Sequence, residues 1–254
     1  MMPDGARFEL LETLGRNVLF AVELVDPVTQ SLVSGGIDVT VDGLAGRPIV
    51  NRSGRFVWLE EADAWPGAIS VTPRGAPFLP QVIPGPPRPA SPGSVSPVAR
   101  LATVVLRPAP SYPFGTDVTA VRGSVQEGPA SARRPVTGAV VQLAWHDKSS
   151  DAWSPPRPVA RASGSTSPRD VETDTDGQFV AFLRLRREPL ADPDFDENHK
   201  NLLKVRLQLA RPDDPFPRAT PDDYPFLPGS PGRVPEGELL ARDVALVWEE
   251  LLPI

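Results

Sequence analysis

Apolar and polar residues alternate along short stretches of this chain, and glycine or proline bounds each stretch. Between Ile37 and Val41 the sequence reads IDVTV, directly after the pair Gly35-Gly36. A period of two places every second side chain on the same face of a strand, so this pattern predicts a β-strand with one buried face. The apolar and β-branched run Val18–Val25, closed by Asp26-Pro27, also predicts a strand.

The predicted strands follow the same order twice along the chain. In the first half they cover residues 18–25, 37–41, 56–59, 68–72 and 101–107. In the second half they cover residues 119–125, 139–145, 179–185, 202–209 and 243–248. A proline-rich stretch precedes the last strand of each half, at 84–97 and 212–235. Because a shared order is harder to produce by chance than a shared composition, one unit is predicted to occur twice.

The proline-rich segment 109–115 is predicted to be a linker between two domains, 1–108 and 116–254. Proline favours extended backbone and prevents strand pairing, which suits a short stiff connection. Helix is predicted to be scarce, because 33 of the 254 residues are proline and proline breaks helix interiors. The best helix candidate is residues 8–14, closed by Gly15, although the same residues could form an opening strand.

Charge and composition exclude several classes of partner. The net charge is −6, so no basic field attracts nucleic acid or anionic lipid. The absence of cysteine excludes disulfides, thiolate metal sites and cysteine nucleophiles. No secretory signal or membrane-spanning apolar run is readable, so we expect a soluble protein made in the cytoplasm, without membrane insertion. It could belong to a released or cell-associated particle.

The second half resembles the carboxypeptidase regulatory-like domains, which are transthyretin-like (prealbumin-like) β-sandwiches. The matching positions are Val121, Gly123 and Val125, then Pro135, Gly138, Ala139, Val141 and Leu143, and then Thr173, Asp174, Asp176, Gly177 and Phe179. The match covers about residues 120–210. The first half matches more weakly, at Gly36, Val39, Gly54 and Phe56, with Ser53 in place of an aspartate.

This resemblance implies an all-β fold of two tandem Ig-like or transthyretin-like β-sandwiches with long proline-rich loops. It implies an accessory role and does not specify a function, because modules of this kind serve many proteins.

The stretch from Glu172 to Phe179 invites two interpretations. Asp174 and Asp176 with Glu172 could hold calcium, but the remaining ligands of such a loop are missing. In the preferred interpretation, an aspartate accepts backbone N–H bonds and Gly177 takes a positive φ. Asp174, Asp176, Gly177 and Phe179, with Gly54 and Phe56 in the first half, are therefore predicted to be structural turn residues, and no metal or cofactor is predicted.

Other candidate chemistry is sparse. The acidic stretch 192–199 is interpreted as a solvated loop, with a hard-cation site as the alternative. His146 and His199 are the only histidines, and no G-x-S-x-G elbow is present. The serine-containing stretch 162–168 is interpreted as a flexible loop, and no pair of carboxylates stands out as a glycosidase pair. The protein is therefore predicted not to be an enzyme.

Aromatic and apolar residues on predicted loops or at the end of a predicted strand are candidates for partner contact. These candidates are Trp145 and Trp153, which bracket a polar stretch, and Tyr224, Phe226 and Leu227 in the second proline-rich stretch. The alternative is that they pack onto their own sandwich. Trp58, Trp65 and Trp248 fall in or beside predicted strands and are expected in or near the core.

Two main hypotheses of function follow. The first is a non-catalytic structural or adaptor protein that mediates protein–protein contacts in a larger assembly, for which a phage-tail-like or contractile injection particle is one hypothesis by analogy. The second is a carbohydrate- or peptide-binding accessory module that uses a sheet edge or the loop aromatics. An enzyme of unrecognised type is a third, weaker hypothesis.

Overall fold

The described part of the computed structural model is built from β-strands and turns. The described residues are 18–59, 64–87, 100–154, 171–184, 192–240 and 243–254. Within these ranges a short 3-10 helix covers Trp248–Glu250, and no helix is long and apolar enough to cross a bilayer. The predicted all-β class is confirmed. The helix candidate at 8–14 and most of the first proline-rich stretch, from residue 88 onward, lie outside the described residues.

The first half forms two facing sheets. Its strands are β1 (Val18–Val25), β2 (Ile37–Val41), β3 (Ile49–Val50), β4 (Phe56–Leu59), β5 (Ile69–Pro73), β6 (Gln81–Ile83) and β7 (Leu101–Val105). One sheet has the order β3-β4-β1-β7 and the other the order β2-β5-β6. Strand β1 pairs antiparallel with β4 and parallel with β7.

The second half repeats this plan with longer strands. The first six are β8 (Thr119–Glu127), β9 (Arg134–Pro135), β10 (Val140–Asp147), β11 (Ala152–Ser154), β12 (Val171–Glu172) and β13 (Gln178–Leu183). The remaining five are β14 (Leu202–Arg211), β15 (Asp214–Ala219), β16 (Arg233–Pro235), β17 (Val244–Val247) and β18 (Leu252–Pro253). Strand β8 pairs antiparallel with β13 and parallel with β17, as β1 does with β4 and β7.

The opposite sheet of the second half has the order β11-β10-β14-β15-β18. Strand β12 also pairs with β10, and β16 also pairs with β14. The run β10-β14-β15 therefore corresponds to β2-β5-β6 of the first half. The two halves share the arrangement of these central strands, and the domain bounds 1–108 and 116–254 stay a prediction.

The second proline-rich stretch contains strands that its sequence did not predict. Strand β15 runs through Pro215 and Pro217, and β16 ends at Pro235. Proline has no N–H to donate to a sheet ladder. Strand β15 accommodates its two prolines because it pairs with β14 only through Asp214, Arg218 and Ala219. The two prolines fall between these paired positions, so the stretch is more than a loop.

Two buried clusters fill the molecule, and one of them joins the halves. The first lies between the two sheets of the second half and includes Phe179, Leu207 and Phe226. The second fills the first-half sandwich and continues into Val118, Ala120, Val171, Val180 and Phe182 of the second half. The segment predicted as a linker contributes Tyr112 and Phe114 to this second cluster. The apolar interior is therefore continuous between the halves.

A buried hydrogen bond lies at this junction. The Tyr112 hydroxyl donates to Asp26 Oδ2 over 2.6 Å, and both residues are buried. The backbone N–H of Val28 donates to Asp26 Oδ1 over 2.7 Å, and the Thr29 hydroxyl donates to Asp26 Oδ2 over 2.9 Å. Burial raises the pKa of Tyr112 above its ordinary value and the bond to Asp26 raises it further, so the phenol stays protonated as the donor.

We predict that Tyr112→Phe lowers the free energy of unfolding by about 1–3 kcal/mol, because it removes one donor from a buried carboxylate. The matched control is Tyr224→Phe, the same change at the other tyrosine of the chain. The Tyr224 hydroxyl donates to the Ala245 carbonyl over 3.2 Å, and this bond is exposed to solvent, so its loss should cost no more than about 0.5 kcal/mol. Urea unfolding measures both, and equal losses would show that the buried bond has no special role.

Candidate functional site

The stretch around Asp174 forms a tight turn that feeds β13. Asp174 Oδ1 accepts the backbone N–H groups of Asp176 and Gln178 at 2.9 and 2.8 Å. The N–H of Gly177 donates to the Asp174 carbonyl over 3.0 Å, and Gly177 has φ 72°. Phe179 then enters the core. The carboxylate is thus engaged in holding the turn.

The first half builds the same turn with a neutral side chain. Asn51 Oδ1 accepts the backbone N–H groups of Ser53 and Arg55, each at 3.0 Å. Gly54 has φ 79°, and Phe56 is buried. An amide oxygen performs the task of the Asp174 carboxylate, so the turn needs an acceptor and not a charge. The sequence comparison of Ser53 with an aspartate missed that Asn51 supplies the acceptor.

The carboxylates of this stretch are not gathered around a cation position. Glu172 pairs instead with Arg107, with 2.5 Å between Glu172 Oε2 and Arg107 Nη1. Across the described ranges, no three histidine, aspartate or glutamate side chains are placed to share a metal ion.

Two of the aromatic contact candidates are core residues, which corrects the sequence interpretation. Trp145 is 2% exposed and Phe226 is 0% exposed, and both belong to the cluster between the sheets of the second half. Trp145 falls at an inward position of β10, and the turn that follows Tyr224 directs Phe226 inward. Neither side chain has surface to offer a partner.

The remaining aromatic candidates are half-buried. Tyr224 and Leu227 pack against the same core, and the rings of Tyr224 and Phe226 are 4.8 Å apart. Trp153 lies on β11 with the Arg206 guanidinium 4.4 Å from its ring centroid. A cation held over an aromatic face is stabilising, so Arg206 already occupies part of the Trp153 surface. A contact role for Tyr224, Leu227 and Trp153 stays a prediction.

Backbone hydrogen bonds and ion pairs hold the acidic stretch 192–199 against the edge of the second half. Asp194 donates its N–H to the His146 carbonyl over 2.9 Å, and its own carbonyl accepts from Lys204 N over 2.8 Å. Its carboxylate lies 3.4 Å from Arg233 Nη2, 3.5 Å from Lys148 Nζ and 3.3 Å from His146 Nδ1. The stretch is therefore an ion-paired loop, and basic side chains take the space that a bound cation would need.

The pKa of Asp194 reflects these neighbours. Burial acts to raise the pKa, but the charge of Arg233, its hydrogen bond, and the charges of Lys148 and Lys204 together lower it below the ordinary value. The folded state therefore favours the ionised carboxylate.

A groove lies in the first half beside the edge of β2 that no described strand covers. It has a volume of about 390 Å³ and separates β2 from β3 and the start of β4. Apolar side chains of Ile37, Val39, Val50 and Phe56 line it, and Asp38 and Arg47 stand at its polar parts. Two neighbouring residues of β3 are unusually exposed for their type, Ile49 at 55% and Val50 at 47%. The sequence predicted β2 as a strand but gave no sign of which edge would lack a partner.

Comparisons with known proteins do not assign this chain to a family. No protein-family model matches it, and no curated protein matches it. Among solved structures it is similar to a streptococcal ancillary pilin, with 12% sequence identity and a TM-score of 0.23. That match covers 92% of this chain and 62% of the pilin chain, so this chain spans less than two thirds of the pilin's length.

A second similar structure is the minor pilin of Streptococcus agalactiae. The identity is 10% and the TM-score 0.23, over 92% of this chain and 96% of that one. At this identity and TM-score neither likeness bears on what the chain does, and the carboxypeptidase regulatory-like family is not established by them.

We predict that Gly177→Ala is more destabilising than Gly138→Ala. Both glycines have nearly the same positive φ, 72° and 71°, so each variant loses about 1–2 kcal/mol to backbone strain. A Cβ at Gly177 would also lie 2.5 Å from the Val125 carbonyl oxygen, whereas a Cβ at Gly138 meets nothing within 4 Å. The clash should add about 1–3 kcal/mol. Thermal unfolding compares the two, and equal melting temperatures would contradict the packing at the turn.

We predict that Asp194→Asn destabilises the protein at neutral pH by about 1 kcal/mol and weakens its acid sensitivity. A carboxylate whose pKa is lowered by folding contributes stability above its unfolded pKa of about 4, and that contribution is lost as the pH falls. Wild type and variant should therefore converge in stability between about pH 5 and about pH 2. Urea unfolding across this range tests the prediction.

The control for Asp194→Asn is Asp151→Asn, since Asp151 faces the other nitrogen of His146 but is 94% exposed. This variant should match the wild type at every pH. A parallel pH profile of Asp194→Asn and wild type would rule out the proposed contribution of Asp194.

Proposed function

We propose that this chain is a non-catalytic structural or adaptor protein that mediates protein–protein contacts within a larger assembly. The observation that carries the proposal is the buried joint between the halves, which fixes the spacing and orientation of the surfaces that each half presents. A subunit or adaptor needs such a fixed geometry, because every free hinge adds an entropic cost when the partners are ordered.

The joint is built from three kinds of contact. The shared apolar cluster supplies burial. The hydrogen bond between Tyr112 and Asp26 ties the connecting segment to the first half. Arg184 of the second half donates to the Val28 carbonyl of the first half and pairs with Asp117, and Arg107 pairs with Glu172 across the halves. Contacts spread in this way resist bending more than a single flexible connection would.

Exposed apolar side chains on strand edges suit the contact role. Ile49 and Val50 lie on β3, Val82 on β6, and Phe216 and Leu252 on the adjacent strands β15 and β18. Single exposed apolar residues are ordinary on protein surfaces, but neighbouring pairs at sheet edges are more typical of interaction sites. This pattern supports protein partners for the assembly.

The finer identity of the assembly is a hypothesis. A phage-tail-like or contractile injection particle has no specific support from the described contacts, and a cell-associated assembly of another kind fits them equally. Membership of the carboxypeptidase regulatory-like family has better support, because both halves build the same acceptor-Gly turn before a buried phenylalanine.

The alternative function is a binding module for carbohydrate or peptide. A peptide is favoured by the groove beside β2, where apolar side chains line an open strand edge. Carbohydrate binding has weaker support, since the Arg206 guanidinium lies over the ring of Trp153.

We predict that the tagged chain, produced at its natural level in its own cells, sediments mainly within a complex of fixed protein stoichiometry. The double variant Arg107→Ala/Arg184→Ala, which loosens the joint, should lower the assembled fraction severalfold while the isolated protein still folds. The matched control is Arg55→Ala, which removes an ion pair of 2.9 Å with Glu23 inside the first half, and it should assemble normally.

Sedimentation and cross-linking mass spectrometry measure the result. A chain that sediments as a free monomer, with no protein cross-links, would overturn the structural role. A free monomer that also binds an immobilised glycan array would favour the carbohydrate alternative instead.

A further inference from the structure

The two halves differ at one equivalent strand edge. In the second half, β10 pairs with β14 on one side and with β11 and β12 on the other. In the first half, the equivalent strand β2 pairs with β5 on one side, and no other strand of the described residues pairs with it. Among the described residues, no strand of the first half fills the position that β11 and β12 fill in the second.

The cause is a different path of the segment just before the shared turn. In the second half this segment is β12, which places Val171 opposite Val141 and is followed by Thr173, whose N–H donates to the Ala139 carbonyl over 2.9 Å. In the first half the corresponding residues form β3, which pairs with β4 in the opposite sheet, with Ile49 opposite Val57. The groove of about 390 Å³ lies where the covering strand would run.

The backbone of β2 presents hydrogen-bonding groups to this groove. The Gly36 carbonyl accepts from Arg74 N over 2.7 Å, and Asp42 N donates to the Ala68 carbonyl over 2.9 Å, so the even-numbered positions face β5. Backbone groups alternate in direction along an antiparallel strand, and Ile37 and Val39 therefore direct theirs to the open edge. No described residue pairs with them there.

We propose that the open edge of β2 binds an extended segment of another protein chain, which adds to the sheet as an antiparallel strand. The second half shows the geometry of such a strand, since β11 and β12 both run antiparallel to β10. Alternate side chains of the added strand enter the groove beside Val50, which is 47% exposed, because Ile37, Val39 and Phe56 at its base are buried. This inference rests on the proposed function and names the chemistry of one partner.

An extended strand fits this site better than a compact ligand. Main-chain hydrogen bonds to Ile37 and Val39 supply affinity without requiring a particular sequence, and the apolar groove selects the alternation of the side chains. Arg47 lines the groove and makes no ion pair with any described residue. An acidic side chain in the bound segment would pair with it, so the preferred segment is apolar at alternate positions with an acidic residue at one end.

The test selects a phage-displayed library of random dodecamer peptides on the full-length protein, and then measures the binding of the enriched peptides as synthetic ligands. Val39→Pro removes a donor at the open edge while leaving the ladder to β5 intact, since proline is tolerated where the N–H faces away from the sheet. The matched control is Val82→Pro on β6, where the register to β5 gives Val82 an N–H that faces the opposite edge of the same sheet.

The expected result is enrichment of peptides with alternating apolar residues, bound at least about tenfold more weakly by Val39→Pro and equally well by Val82→Pro. Backbone amides of Ile37 and Val39 should exchange with solvent quickly in the free protein and slowly in the complex. If Val39→Pro does not fold, Val50→Asp takes its place, because a charge in the apolar groove should weaken the same peptides.

Three outcomes would overturn the inference. The first is failure to enrich such peptides, or their equal binding to Val39→Pro. The second is slow exchange of Ile37 and Val39 in the free protein, which would mean that the chain covers its own edge. The third is self-association abolished by Val39→Pro, which would assign the edge to a second copy. If the Val39→Pro variant still forms its complex in cells, the proposed structural role is supported and the proposed strand-binding site is wrong.

Discussion

Each half depends on a parallel pair between its first strand and a strand near its end. Strand β1 pairs with β7, and β8 pairs with β17, over residues separated by most of the half. Parallel pairing cannot be closed by a tight turn, so the intervening chain must cross to a second sheet and return. Once β4 occupies the other side of β1, and β13 the other side of β8, the next strands β2 and β10 have to build the opposite sheet. The outer edges of β2 and β10 then need another strand to cover them, and the parallel pairs β1–β7 and β8–β17 cannot provide it.

The same turn occurs beside a covered edge in the second half and beside an edge without a described partner strand in the first half. Asn51 and Asp174 hold their turns with equivalent acceptor bonds, and each turn starts a strand that brings a phenylalanine into the core. The residues just before the turn are not constrained by those bonds. They join β10 in the second half and β4 in the first. A local motif can therefore be identical while the edge beside it is closed in one half and open in the other.

The sequence allowed the strands, their order and the turn to be anticipated, because alternation and the acceptor-Gly pattern are local. It did not allow the pairing of β15 to be anticipated, since Pro215 and Pro217 argue against a strand unless one knows that they fall between paired positions. The burial of Phe226 was missed for a similar reason: a loop aromatic and a core aromatic have the same local sequence, and only the tertiary path of the chain separates them. The open edge of β2 is a property of what fails to pair with it, which no local pattern encodes.

These differences change where a partner can bind. The aromatic side chains that seemed suited to contact are largely used inside the molecule: Phe226 fills the core, Tyr224 packs beside it, and Trp153 lies against Arg206. The second proline-rich stretch packs onto its own sheets and so offers few free anchors. The backbone N–H and C=O groups of an open strand edge stay available for pairing whichever side chains the strand carries. The risk of such an edge is unwanted pairing with other chains. Because these aromatic residues pack inside the molecule, the site we propose for another chain is the backbone edge of β2 with its groove.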